Sequence, residues 1–395
     1  MRPLLRIVPV ALVVACVASL LAPRGGETVP LYAARTGLMC QNCHFDPNGG
    51  GPRKEFGFAY AKNRHEIEPE DSSSKWSSLE LVNRVGDAMP LYFGINQRVL
   101  LLANSTRSSD SLDRVGFFDM ENALHIAFQP HDQLTLVYTR TGSASRDAYG
   151  MFAGLPWDGY LKAGRVRTAF GLRMDDHTVA TRNSFLDFQT QQTFLPYDPR
   201  LTDVGLEYGM ASGPWFGRAQ WLNGESFVFN GEYAGATVAK LGYSAPWYQG
   251  AVSVYDDFRK QTFGPTRRAT RWGYYGMTHW QRFALLGEVA AGTDEAVTGE
   301  KRNSLAYFAE LDYVPSRWAT FRVRYDRLML DRGASDAVSL LNDYNRYAIE
   351  GEFQPVPFGQ VRWTFRLIDP RAEDDGFGTE IPNEKQAYVQ FHFSY

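Results

Sequence analysis

An alternation of apolar and polar residues with a period of two extends from about residue 90 to the end of the chain, and it is the strongest constraint on the fold. In 319–326 the odd positions are apolar and the even positions are Thr, Arg, Arg and Asp. Segments 361–367 and 389–395 repeat this alternation. Successive side chains of a strand point to opposite faces, so the pattern predicts β-strands with one apolar face and excludes amphipathic helices.

Two architectures accommodate such strands. In a soluble sandwich the apolar face packs into a core, whereas in a transmembrane barrel it meets lipid and the polar face lines a wet lumen. Connection lengths favour the barrel, because short links such as 212–214 and 355–357 alternate with long ones such as 329–343 and 369–384. The terminal Tyr395 resembles the C-terminal signal of bacterial outer-membrane barrels. Tryptophans lie at or beside short links, where an interfacial girdle would place them: Trp157, Trp215, Trp247, Trp280 and Trp318.

We predict sixteen antiparallel strands, an even number as single-chain bacterial barrels require. A further alternating segment at 183–190 would make the number odd, so we assign it to a loop that covers 168–202. The predicted fold is therefore mainly β, a porin-like outer-membrane barrel with a small N-terminal α-helical domain. The strands lie near 91–102, 116–129, 133–141, 148–155, 159–167, 203–211, 214–222, 232–243, 247–255, 269–279, 282–291, 303–314, 318–328, 344–354, 359–368 and 384–395.

The long loop and the strand before it carry many charges. Folded into the lumen, such a loop would form a charged constriction that selects ions. Left outside the barrel, its charges would only keep it soluble in water. The sequence leaves both arrangements open for these residues: Arg165, Arg167, Arg173, Asp175, Asp176, His177 and Arg182.

Cys40-Gln41-Asn42-Cys43-His44 carries the clearest chemistry of the chain. Two thiols three positions apart with a following histidine match covalent attachment of one c-type haem, with His44 as proximal iron ligand. A zinc site is an alternative, but it needs four ligands and no second Cys/His pair follows at finger spacing. A redox-active dithiol is another, but it is expected near a βαβ pattern, which is absent from the sequence. A structural disulfide is the remaining alternative.

The N-terminus predicts export. Arg2 and Arg6 precede an apolar run at 7–16 that is too short to span a bilayer, so we interpret 1–22 as a signal peptide. The run ends at Cys16, the third cysteine of the chain besides the motif pair. The segment 13–16 also resembles a lipoprotein processing site. The net charge of -3, without a Lys/Arg-rich run, gives no sign of nucleic-acid binding.

Residues 23–75 are predicted to form a haem-binding plug domain, followed by a linker at 76–90 and the barrel at 91–395. So short a domain cannot form an independent hydrophobic core, and a covalent haem would stabilise it. A short helix at 54–62 carries Phe56 and Tyr60 on one face, which we expect to pack on the porphyrin. For the distal axial position, His65 is the nearest downstream histidine and Met89 is its rival.

The chain resembles a known family, the fused outer-membrane cytochrome–porins that oxidise extracellular ferrous iron in iron-oxidising bacteria. The segment 30–40 is similar to the family's Pro-x-aromatic-Ala-x-x-Thr-Gly lead into the haem motif. The element from Pro52 to Gly57 is similar to its following Pro…Phe-Gly. The chain departs from the family at Gly49–Gly51, which looks inserted, and at Phe58, where the family usually has arginine.

This resemblance implies a cytochrome that moves electrons across the outer membrane. It implies attachment of haem c outside the cytoplasm, oxidation of extracellular Fe(II) as an iron oxidase, and transfer of the electron to a periplasmic soluble cytochrome. From the residues alone, Asp175, Asp176 and His177 offer ligands suited to transient ferrous iron, whereas outer-sphere transfer from an exposed haem edge needs no such site. Two alternatives stay open: an electron conduit for another donor or for the outward direction, and a solute porin with an accessory haem.

Overall fold

The computed structural model describes residues 30–67, 80–106, 114–141, 144–172, 179–182, 202–224, 233–260, 267–295, 301–332, 343–372 and 383–395. The predicted signal peptide, Cys16 and the alternating segment at 183–190 lie outside these ranges. None of the helices described is long and apolar enough to cross a bilayer.

Three short helices precede the sheet: α1 (Pro30–Thr36), α2 (Cys40–Cys43) and α3 (Glu55–Lys62). A two-residue strand, β1 (Arg84–Val85), follows and pairs with the first long strand. The long strands are β2 (Leu91–Thr106), β3 (Arg114–His131), β4 (Leu134–Thr141), β5 (Ala144–Leu155), β6 (Gly159–Arg167), β7 (Thr202–Ser212), β8 (Trp215–Leu222), β9 (Tyr233–Ala245), β10 (Tyr248–Lys260), β11 (Arg267–Trp280), β12 (Phe283–Glu295), β13 (Lys301–Ser316), β14 (Ala319–Met329), β15 (Tyr344–Val356), β16 (Gly359–Pro370) and β17 (Glu384–Ser394).

Strands β2 to β17 form a closed antiparallel barrel. Each strand pairs with the next in the chain, and β17 returns to pair with β2, with Phe391 opposite Val99. Closure leaves the barrel no free edge, which is the condition for a sheet to exist in lipid. The prediction of sixteen long strands is confirmed.

The barrel is apolar outside and charged inside. On β14, Val323 is 57% exposed and its neighbour Arg324 only 2%. On β16, Phe365 is 59% exposed while Arg366 is buried. A soluble sandwich would bury the apolar face, so that alternative is excluded, and the exterior is that of a barrel embedded in a bilayer.

The two rims of the barrel differ. At one rim, which we call the turn end, connections of two or three residues join pairs such as β7–β8 and β11–β12. At the other rim, the loop end, most connections are longer, as between β6 and β7 or β14 and β15, although only two residues join β4 to β5. Large exposed indoles lie at the turn end, as the predicted girdle requires: Trp157, Trp215, Trp280 and Trp318.

Residues 30–67, which we call the plug, lie in the lumen toward the turn end. Helix α1 packs against β11 and β12. In α3, Phe58 is buried against Phe358 and the C-terminal Tyr395, with ring centroids 4.9 and 5.2 Å away. The helix predicted at 54–62 is therefore present, and its Phe58 docks it on the barrel wall.

The connection after β6 folds into the lumen. Phe170, Leu172 and Val179 are buried, and a short 3-10 helix at Ala180–Arg182 is buried as well. A solvated external loop would expose these side chains, so that alternative is wrong for 168–172 and 179–182. Arg173, Asp175, Asp176 and His177 lie outside the described residues.

Candidate functional site

A cavity of about 670 Å³ lies inside the barrel, between the plug and the wall. Both motif thiols and His44 line it, and the wall contributes Tyr275 among other side chains. Leu172 of the inward-folded connection lines the cavity too. The volume falls in the range of pockets that hold cofactors and other small molecules.

The Cys-x-x-Cys-His motif forms one helical turn with a tight exit. The amide of His44 donates to the Cys40 carbonyl at 3.0 Å, and the amide of Lys54 donates to the Cys43 carbonyl at 2.9 Å. Cys40 and Cys43 form no disulfide, and both are half-buried. Burial, and then the neighbouring Cys40, raise the pKa of the Cys43 thiol to about 11. The structure therefore shows two reduced thiols and not the structural disulfide that the sequence left open.

Two glycines allow the chain to approach the motif closely. A Cβ on Gly57 would lie 2.3 Å from the Cys43 carbonyl oxygen, so only glycine lets α3 pack on α2. Gly49 has a φ of +92°, and a Cβ there would lie 3.2 Å from the Cys40 sulfur. The thiols and His44 are thus held together on the cavity wall, an arrangement that fits a covalently attached haem.

His65 lies in the same cavity wall, buried and oriented by hydrogen bonds. Its Nδ1 lies 2.8 Å from Oε1 of Gln354 and 2.9 Å from the hydroxyl of Tyr32, whose ring stacks on the imidazole at 4.0 Å. Gln354 points its amide nitrogen toward the acceptor-only carboxylate of Glu352. Its Oε1 therefore faces His65, whose Nδ1 must donate, and Nε2 keeps its lone pair.

Burial lowers the pKa of His65 to about 3, so the imidazole is neutral at physiological pH. A neutral imidazole whose Nδ1–H is held by a protein acceptor is the usual state of a histidine that binds a metal through Nε2. The structure thus brings the two predicted axial histidines, His44 and His65, to one cavity. Met89 is 59% exposed and does not line the cavity.

The two aromatic residues that were predicted to contact the porphyrin lie in different surroundings. Tyr60 is buried and lines the cavity. Phe56 is 45% exposed and does not line it. The structure therefore places Tyr60, but not Phe56, where a porphyrin in this cavity would meet it, although the two rings stack with centroids 6.4 Å apart.

Lys162 of β6 anchors the haem-motif loop to the wall. Its buried ammonium lies 2.8 Å from Asp46 and 3.0 Å from Glu207 of β7. Asp46 also accepts from the amide of Asn48, whose side chain donates to Glu207. A buried charge needs this compensation, so plug and wall are joined at the loop that follows His44.

Replacing Lys162 by Gln is expected to loosen the plug. Breaking a buried pair and leaving its carboxylates uncompensated costs about 3–5 kcal/mol. Urea-dependent proteolysis of the plug should report the loss as cleavage at lower denaturant. The exposed pair Lys301–Glu295 supplies the control, Lys301→Gln, for which almost no change is expected. Equal behaviour of the two variants would contradict the anchoring role.

The inward-folded connection is bonded to several walls. The amide of Ala180 donates to Asp326 at 2.9 Å, and the amide of Gly171 donates to Ser253 at 3.1 Å. Arg182 pairs with the buried Glu288. These contacts hold it across the lumen on the loop-end side of the plug.

Charged side chains on the lumen face of β13, β14 and β15 form a wall in which they pair with each other. Arg322 lies 2.8 Å from Asp312 and 3.0 Å from Glu350, and Arg324 lies 3.1 Å from Glu310. The described residues hold no group of three or more His, Cys, Asp or Glu side chains arranged for a metal ion. The charges of this wall compensate one another inside the lumen.

Sequence reasoning missed Lys162, Glu207 and Gln354 as parts of the site. Each lies at an inward position of an alternating strand, where polar residues are expected for any barrel. Their sequence separation from the plug hides the contacts, since Gln354 lies 289 positions from His65.

No protein-family model and no curated protein matches the chain. Solved structures match its fold. OmpT of Vibrio cholerae, folded in vitro, is 10% identical with a TM-score of 0.58, covering 79% of this chain and 99% of its own. An anion-selective porin from Comamonas acidovorans is 8% identical with a TM-score of 0.58, covering 78% and 100%. Salmonella typhi OmpF in complex with daunomycin is 13% identical with a TM-score of 0.53, covering 79% and 100%.

At these identities the likeness concerns the fold. That fold, together with the apolar exterior, defines a porin-like β-barrel of the bacterial outer membrane. The plug with its Cys-x-x-Cys-His motif lies inside this barrel.

Proposed function

We propose that this chain is an outer-membrane cytochrome–porin that carries electrons across the outer membrane, oxidising extracellular Fe(II) and passing the electron to a periplasmic cytochrome. The observation that carries the proposal is the position of the motif. Cys40, Cys43 and His44 line a cavity inside a closed membrane barrel. A hydrocarbon core of roughly 30 Å separates the two sides, so an electron needs a centre within the barrel.

The residues of the chain fit one covalent haem. Cys40 and Cys43 would tether it, His44 would be its proximal ligand and His65 its distal ligand. A bound haem supplies a one-electron redox centre whose potential depends on its ligands and surroundings. Tyr32 and Gln354 hold the His65 ring in place, and Leu172 and Tyr275 line the same cavity.

The placement of the plug supports electron exchange with a periplasmic partner. Short turns face the periplasm in outer-membrane barrels, so the plug at the turn end lies near a periplasmic electron acceptor. Oxidation at the loop end would leave insoluble ferric product outside the cell. The resemblance of 30–57 to the cytochrome–porins supports Fe(II) as donor.

A solute porin with an accessory haem is the second candidate. The structural neighbours are porins, one of them described as anion-selective, which favours it. Against it, plug and inward-folded connection both lie across the lumen, where a diffusing solute would pass. Reduction of the purified, membrane-embedded protein by Fe(II) separates the two candidates.

Replacing His65 by Ala is expected to change the spin state of the haem. Loss of a strong-field nitrogen ligand leaves the iron five-coordinate or bound by a weak ligand, and the low-spin absorption bands should give way to high-spin bands. His131, exposed at a turn, provides the control His131→Ala, which should leave the spectrum as it is. A low-spin spectrum that persists in His65→Ala would remove His65 as distal ligand.

A further inference from the structure

Helix α3 exposes one face at the turn end of the barrel, on the side away from the cavity. Phe58 and Tyr60 are buried, whereas Phe56 is 45% exposed and does not line the cavity. Glu55 is exposed beside it. Phe56 belongs to the plug inside the barrel and not to the outer wall, so contact with lipid does not account for its exposure. The helix therefore presents an aromatic ring to the medium at this rim.

This exposed ring is in contact with a side chain of the cavity. Phe56 stacks on Tyr60, with ring centroids 6.4 Å apart. Tyr60 lines the cavity and packs edge-on against the imidazole of His65, at 5.4 Å. His65 is the proposed distal ligand of the haem. Electron transfer slows steeply with distance, so a redox partner that meets Phe56 gains a route of packed rings to the proposed centre.

The charges around this ring are acidic where they are exposed. In residues 30–67 and 80–90 the exposed charged side chains are Glu55, Glu80 and Asp87. The lysines and arginines of the same two segments are partly buried. One of them, Arg84, pairs with Glu55 and lies within electrostatic range of Asp87, which places the two acids near each other.

An apolar contact flanked by acids fits a weakly bound redox protein of opposite charge. Encounters between redox proteins bury little surface, so one exposed ring and its neighbours provide a sufficient contact area. Complementary charge raises the rate at which such partners meet and orients them. The partner that fits this face therefore carries positive charge around an apolar contact point.

We propose that the exposed face of α3, centred on Phe56 and flanked by Glu55 and Asp87, is the docking surface for a soluble c-type cytochrome with basic residues around its exposed haem edge. The inference rests on the proposed function and assigns the place where the electron leaves the protein. The transfer moves one electron from the reduced haem to the oxidised haem of the partner. No bond forms or breaks, and no proton moves.

The test measures electron transfer from the full-length, haem-loaded protein, which is reduced with dithionite and then freed of it by gel filtration. The probe is a basic ferric c-type cytochrome with a methionine axial ligand, whose far-red iron–sulfur absorption disappears on reduction. Stopped-flow absorbance then gives the second-order rate constant. Because dithionite replaces the natural donor, the result does not depend on whether Fe(II) reduces the protein.

Replacing Phe56 by Ala is expected to lower this rate constant about tenfold, since an aromatic anchor at the centre of an interface carries much of the binding energy. Phe56→Tyr keeps the ring and should retain most of the rate. Phe117 of β3, exposed at the loop end, provides the matched control Phe117→Ala, which should leave the rate unchanged. The midpoint potential of each variant is recorded, and a shifted potential that accounts for the slower transfer would overturn the docking role.

The charges are tested with the same assay. The double variant Glu55→Gln and Asp87→Asn should transfer more slowly at low ionic strength and depend less on salt. Succinylation makes the probe acidic and should slow its reduction by the wild type. Equal rates for the native and succinylated probes, or for wild type and Phe56→Ala, would overturn the docking surface.

Two further outcomes separate the alternatives. An unchanged rate in Phe56→Ala together with a smaller particle mass in detergent would assign the face to a second copy of the chain and overturn the proposal. Absence of haem from the wild-type protein would instead refute the proposed function. Heat-modifiable gel mobility and an unchanged haem spectrum identify the variants that are intact.

Discussion

Replacing Cys40 and Cys43 together by Ser is expected to abolish covalent haem while the barrel still folds. The thioether tethers need both sulfurs, whereas barrel closure depends on the pairing of β17 with β2 and not on the motif. The measurement is haem staining of the denatured band, with the Soret absorbance of the folded protein recorded beside it. Complete loss of stain is expected in the double variant, and heat-modifiable mobility should remain.

Asn42→Ser is the matched control for that experiment. Asn42 is exposed between the two cysteines, and its side chain supplies neither tether nor ligand. The control should stain like the wild type. Wild-type protein without covalent haem, or a double variant that stains as strongly, would refute haem attachment at this motif and leave the solute-porin candidate.

Removing residues 30–67 is expected to turn a nearly closed barrel into an open channel. The plug fills the turn-end part of the lumen through contacts such as Lys162–Asp46 and His65–Gln354. Conductance depends on the width and charge of the narrowest passage, so single-channel conductance in planar bilayers should rise by roughly an order of magnitude. The intact protein should conduct weakly under the same conditions.

The variant Arg182→Gln tests how much the inward-folded connection, apart from the plug, restricts conductance. It breaks the pair with Glu288 but leaves the plug in place, so a smaller rise in conductance is expected. Intact protein that already conducts as well as the plug-less variant would contradict a closed lumen and favour the solute porin.

Local patterns allowed the strands and the motif to be predicted. Period-two alternation depends only on neighbouring residues, which is why β14 and β16 were placed within a few residues of their observed ends. The spacing of Cys40, Cys43 and His44 is local in the same sense. The inward fold of 168–172 was left open because this stretch has no regular period, and its burial depends on distant partners such as Ser253 and Glu288.

Tertiary contacts of the site escaped prediction for the same reason. Lys162 meets Asp46 across 116 positions, and Arg218 reaches the cavity only because the barrel closes around the plug. An inward polar residue is expected at every second position of a barrel strand, so the sequence does not distinguish an anchor from a residue that lines water. Only the placement of the plug makes that distinction.

The most direct test of the proposed function is reduction of the haem by Fe(II). The full-length protein, purified and inserted in liposomes, receives ferrous iron from outside while haem absorbance and midpoint potential are recorded. Rapid appearance of the reduced haem bands, with a midpoint that permits transfer to a periplasmic cytochrome, is the predicted result. Haem that stays oxidised in excess Fe(II) at the working pH, although a stronger reductant reduces it, would contradict ferrous iron as the donor.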